Sequence, residues 1–117
     1  MAKRKISPFK HWEGPRERAG YVRLNYDLLD SEAFLSLSGN AVKLYVHMRE
    51  WAYRKEHSDG KSLTYTVRFA SERLRISIPT ANKALLELEQ KGFIKRLNNS
   101  KASREATVWE FSDKWYA

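Results

Sequence analysis

The sequence contains no cysteine. That excludes disulfides, cysteine-type zinc sites and thiol nucleophiles, and it fits a reducing compartment. Long apolar runs are absent too. None approaches the roughly 18 residues that span a bilayer. The basic start at Lys3, Arg4 and Lys5 is not followed by the apolar stretch of roughly 7–15 residues found in a secretory signal. A cytoplasmic protein without a membrane partner is therefore expected. His11, His47 and His57 share no ligand spacing, so no metal site is expected. There is no Ser-His-Asp set, no His-Glu-x-x-His and no glycine-rich phosphate loop. These absences lead us to expect no catalytic residues, no cofactor, no small-molecule ligand and no enzyme. No internal repeat or low-complexity tract occurs.

What is present is a modest core and an excess of positive charge. Of the 117 residues, 42% are hydrophobic and 13% aromatic, enough for one small domain. Lysine and arginine number 22 against 14 acids, a net charge of +8. Such a balance suits a polyanionic partner, although a basic and inert surface gives the same count. The charge is uneven. Residues 1–20 carry six basic and two acidic side chains, so half of the excess lies there. With Pro8, Gly14, Pro15 and Gly20, this segment reads as a flexible basic arm, either solubilising or phosphate-tracking. Residues 21–111 read as the folded domain and 112–117 as a tail.

The domain opens with Tyr21, Val22 and Leu24 as a short edge strand. Leu28, Leu29, Phe34, Leu35 and Leu37 then form one or two short helical turns. Ser38 caps a helix of roughly 17 residues with Ala41, Leu44, Tyr45, Met48, Trp51 and Ala52 on one face. It stops before the turn signal Ser58-Asp59-Gly60. Leu63, Tyr65 and Val67 alternate like a strand. Thr66 caps a short helix through about Arg75, with Phe69, Ala70 and Leu74 as its apolar residues. After Arg75-Ile76-Ser77, Ser77 caps a further helix over 78–91. Pro79 lies in its first turn, where a missing N–H costs nothing. Ile78, Ala81, Ala84, Leu85 and Leu88 form its expected buried face, and Gly92 suits the left-handed position that ends it. Phe93–Leu97 and Ala106–Phe111 read as two strands of a hairpin over 93–111.

Two helices joined by so short a turn must cross steeply. The second of them presents Pro79, Thr80, Asn82, Lys83, Leu86, Glu87 and Gln90 outward. Taken alone, this is also the pattern of a core helix with a solvated outer face. The order Ala-x-x-x-Leu, Ile-Ser, Thr-Ala, Ala-Leu-x-x-Leu and Gly-Phe-Ile, from Ala70 to Ile94, resembles the winged helix-turn-helix of bacterial regulators. Residues 24–38, Leu-Asn-Tyr-Asp-Leu-Leu-Asp-Ser-Glu-Ala-Phe-Leu-Ser-Leu-Ser, are similar to the opening of small phage, plasmid and mobile-element proteins, some of them replication initiators or replisome organisers. The resemblance implies an α+β fold, a three-helix core with a C-terminal β-hairpin wing.

It also implies non-catalytic binding of double-stranded DNA. Helix 78–91 would read the major groove with Ser77, Pro79, Thr80, Asn82 and Lys83. Lys95, Arg96, Lys101 and Arg104 in the wing would meet phosphates or the minor groove, with Lys3, Arg4 and Lys5 in the arm. Glu87 and Glu89 depart from this scheme, since acids facing phosphate would repel it. Transcriptional regulation, and replication or transfer of a plasmid or other mobile element (conjugation included), are equally served. A protein-interaction module in a replication or conjugation assembly is the alternative, and a homodimer stays open. Trp12, Trp51, Trp109 and Trp115 could each stack on a base. Trp51 and Trp109 lie on expected core faces.

Overall fold

The computed structural model describes residues 22–53, 61–98 and 106–116. Each helix begins at a side-chain cap that accepts an otherwise unpaired backbone N–H. Asn25 caps α1 (Tyr26–Asp30), accepting from the Asp27 amide at 2.7 Å. Ser31 caps α2 (Glu32–Leu35) and Ser38 caps α3 (Gly39–Trp51). Thr66 caps α4 (Val67–Leu74) and Ser77 caps α5 (Ile78–Gln90). Three short strands, β1 (Ser62–Thr64), β2 (Ile94–Arg96) and β3 (Val108–Phe111), complete the fold with a closing 3-10 turn at Lys114–Tyr116. The molecule is thus α+β, and its element order is compatible with a winged helix.

The strands form one antiparallel sheet in the order β1-β3-β2. The expected hairpin is therefore only part of it. β1 adds to the far edge of β3, with Leu63 opposite Trp109. Further expectations need correction. Residues 22–25 carry no regular structure, so the edge strand proposed there is absent among the described residues. Val67 starts α4 rather than extending β1, because the Thr66 hydroxyl accepts from the Phe69 amide and turns the chain into a helix. Ile78 is 45% exposed, not buried. Beyond Trp51 the helix continues as a π-helical turn at Ala52 and Tyr53, and the rest of its expected length lies outside the described residues.

The core lies where α3, α4 and α5 meet over the sheet. Ala41, Ala70, Ala81 and Ala84 are all buried, and their small size lets the three helices approach closely. Leu44, Met48, Leu74, Leu85 and Leu88 fill the space between them. Each such aliphatic side chain contributes about 1.5–3 kcal/mol by leaving water. Trp109 joins sheet to core. It is buried, and its indole N–H donates to the Tyr65 carbonyl at 3.0 Å.

Phe93 is the aromatic hub at the start of β2. It meets Phe34 and Tyr45 edge-on, with ring centroids 6.0 and 5.6 Å away, and Trp115 stacks on it at 6.0 Å. Residues 112–116, read from sequence as a tail, are thus packed. The Ser112 amide donates to the Phe93 carbonyl and the Trp115 amide to the Gly92 carbonyl. Gly92 permits this twice over. Its φ is +88°, and a Cβ there would stand 2.9 Å from both Lys114 Cβ and Trp115 N.

Beside the core, Arg73 bonds Glu50 at 2.7 Å and lies over the rings of Trp51 and Phe69. Burial pushes the neighbouring Tyr65 phenol from 10.0 up to about 12, with the Arg73 charge pulling the other way.

Two outcomes are expected. Gly92→Ala should lower stability by about 2–3 kcal/mol in urea unfolding, from left-handed strain and the clash together. Truncation after Phe111 should abolish part of that cost, since the clashing atoms are then gone. A phenol whose pKa is raised on folding lends stability that is complete below its unfolded value near 10 and lost as pH climbs through about 12. Tyr65→Phe should therefore fold normally at neutral pH and unfold less readily than the parent between those values. Circular dichroism against pH reads the difference.

Candidate nucleic-acid interface

The corner between α4 and α5 sets how the second helix is presented. Arg75 ends α4 in the left-handed region, at φ 58° and ψ 48°. The chain then reverses in a turn clamped from both sides. The Ile76 amide donates to the Ser71 carbonyl at 3.1 Å, and the Ser71 hydroxyl donates to the Ile76 carbonyl at 2.6 Å. Ile76 itself is half-buried against the core. Ser77 then opens α5. Its Oγ accepts from the Thr80 amide at 3.2 Å and donates to Thr80 Oγ1 at 2.7 Å.

The five residues expected on the reading face all lie in the first two turns of α5 or at its cap. Ser77, Pro79, Asn82 and Lys83 are exposed. Thr80 is half-buried, and its hydroxyl is engaged by the cap. The opposite face holds Ala81, Ala84, Leu85 and Leu88 in the core. Lys83 makes no ion pair among the described residues, so its ammonium is available to an anion from outside.

The acids that seemed out of place on this helix are turned to other work. Glu87 reaches the start of α3, accepting from the Ser38 amide and hydroxyl, both at 2.8 Å. Glu89 pairs with Arg96 at 3.5 Å. Lys91 donates to Ser36 Oγ and to its carbonyl, at 2.8 and 3.2 Å. The C-terminal half of α5 is thereby tied to the fold, and the N-terminal half is left open.

The wing divides in the same way. Lys95 is exposed on β2. Arg96 is drawn inward instead, with its guanidinium 4.8 Å from the Trp109 ring centroid and its ion pair to Glu89. Asn98 pins the base of the hairpin. Its amide donates to the Ala106 carbonyl at 3.0 Å and its Oδ1 accepts from the Val108 amide at 2.9 Å. Lys101 and Arg104 in the wing, and Lys3, Arg4 and Lys5 in the arm, lie outside the described residues. Two further exposed cations were unforeseen. Arg68, in the first turn of α4, and Arg75, at the corner, are both exposed and carry no ion pair among the described residues. Local charge was the only sequence signal for either.

No known protein-family model matches the sequence, and no curated protein does. Among solved structures, one described as the N-terminal domain of a DNA-binding protein superposes with a TM-score of 0.60 at 14% identity, covering 93% of this chain and 85% of its own. Another, described as the structure of a Rep-DNA complex, gives 0.61 at 14% identity over 92% and 83%. At that identity the likeness establishes a shared fold.

Arg75 pays conformational strain that glycine would not. Arg75→Gly should raise the free energy of unfolding by about 0.5–1 kcal/mol, the left-handed cost less the added chain entropy of glycine. A fall in stability would mean that the arginine side chain stabilises the corner by more than its backbone costs.

Proposed function

We propose that this chain binds double-stranded DNA without catalysis, through a winged helix-turn-helix made of α4, α5 and the β2–β3 wing. The observation that carries the reading is the split of α5. Its second half is bonded into the fold through Glu87, Glu89 and Lys91, while Ser77, Pro79, Asn82 and Lys83 project from its first two turns. A helix whose first turns carry these groups on an open outer face suits entry into a major groove. Asn82 offers the paired donor and acceptor that match an adenine edge, and Lys83 suits guanine or a phosphate. Lys95 on the wing and Arg75 at the corner, with Arg68 in the first turn of α4, supply the backbone contacts that position the helix. Arg96 belongs to the support of the wing rather than to its contact surface.

The two structural neighbours support the same reading, because both are described by their relation to DNA. One of them is a Rep-DNA complex, which favours a role in replication over transcriptional control.

Affinity for duplex DNA should fall steeply with salt, since each neutralised phosphate releases counterions. Lys83→Glu should weaken binding at least about tenfold while the circular dichroism spectrum stays that of the parent. Fluorescence anisotropy with a labelled random duplex measures both. Absence of duplex binding at low salt would overturn the proposal.

A further inference from the structure

Two aliphatic side chains on α5 are left in water. Ile78 is 45% exposed and Leu86 37%, although Leu85 and Leu88 on the same helix are buried. No other part of the described fold covers them. Ile78, Asn82 and Leu86 are four residues apart, so they form a single slanted row along the helix. Ile78 and Leu86 stand about 12 Å apart along the axis at 1.5 Å per residue. That span is roughly three to four base steps at 3.4 Å each.

We infer that this row gives α5 a preference for thymine, with Ile78 and Leu86 each packing on a C5-methyl group on either side of an adenine bonded by Asn82. The inference rests on the duplex-binding reading above. The chemistry is selective because the thymine methyl is the apolar group that a base pair presents in the major groove. Asn82 and the two aliphatic residues therefore point to the same composition. An A·T pair displays the adenine N6 and N7 that a carboxamide bonds, and the thymine methyl that an aliphatic side chain covers. The acids that follow Leu86 are held by other elements of the fold. Glu87 is occupied at Ser38, and Glu89 is occupied at Arg96. Pro79, exposed in the first turn, adds no competing polar group. The predicted target is a duplex with two thymines three or four base pairs apart around an adenine, where the spacing is roughly the length of the row.

The test uses uracil, which differs from thymine only by the methyl. Sites are first selected from a random duplex library made with thymine. The enriched duplex is then compared with the same sequence carrying uracil at each thymine in turn. At two positions uracil should weaken binding about three- to fivefold, the loss for one buried methyl. Leu86→Ala should weaken binding to the thymine duplex by a similar factor and make one of those positions indifferent to uracil. Ile78→Ala should do so at the other. This coupling separates contact with the methyl from any change in duplex stiffness. Equal affinity for thymine and uracil duplexes at every position overturns the inference and leaves duplex binding standing, which would make the row a protein contact. Salt-dependent binding that persists through Leu86→Ala and Ile78→Ala with the uracil effects unchanged overturns it too. Failure of the parent protein to bind either duplex at low salt removes the reading beneath it.

Discussion

The close approach of three helices through alanine is the constraint on which the rest of the molecule depends. Ala41, Ala70, Ala81 and Ala84 are buried where larger side chains would hold the helices apart. Packed that tightly, α5 has one face committed to the core, and its opposite face must stand in solvent. A larger residue at Ala81 or Ala84 would tilt the helix and move every group on its outer face. Interiors are packed densely enough that such a shift is not absorbed locally. The orientation of Asn82 and Lys83 is thus fixed from behind, by residues with almost no side chain.

Charge then decides which part of the outer face stays open. Along the 13 residues of α5, ionic and polar groups are spent asymmetrically. Toward the C-terminal end they reach α3, the α2–α3 junction and the wing. Toward the N-terminal end, the side-chain bonds among the described residues are those of the helix's own cap, between Ser77 and Thr80. The acids of a basic protein are placed where they brace the scaffold. The same bonds withdraw negative charge from the surface that the cations occupy. Stability and electrostatic selectivity therefore come from one set of contacts.

Local features of this design were legible in the sequence and non-local ones were not. Ser38, Thr66 and Ser77 each precede an apolar run of helical period, and each is a cap. The turn from Arg75 to Ser77 and the role of Gly92 were readable for the same reason, because a few adjacent residues determine them. β1 was recognisable only as an alternating segment. Its pairing joins Ser62 to Glu110, residues far apart in the chain, and three residues carry no code for a distant partner. Ile78 lies at the edge of the apolar stripe at the first helical position, where periodicity alone cannot tell a buried flank from an exposed one. Arg96 looked like its basic neighbours in the wing. Its inward turn depends on Glu89 and Trp109 meeting it from two other elements. Arg75 sits in a conformation usually given to glycine or asparagine, so nothing in its identity announced it. Of the candidate contact residues, Ser77, Pro79, Asn82 and Lys83 could be placed on the exposed side of α5 because a helix displays its faces by spacing. The wing and arm cations were read from charge alone.

The order of strands across the sheet has a consequence for how the protein comes into being. β3 lies in the centre, yet it is the last of the three strands in sequence. Among the described residues, neither β1 nor β2 has a strand neighbour other than β3. During synthesis the helices can collapse on one another first, with two short segments holding unpaired backbone edges beside them. β3 then closes both ladders in a single event and carries Trp109 into the core as it does so. Sheet formation is therefore cooperative by topology, and the rate of this long-range closure sets how long the nascent chain displays edges that a second molecule could pair with.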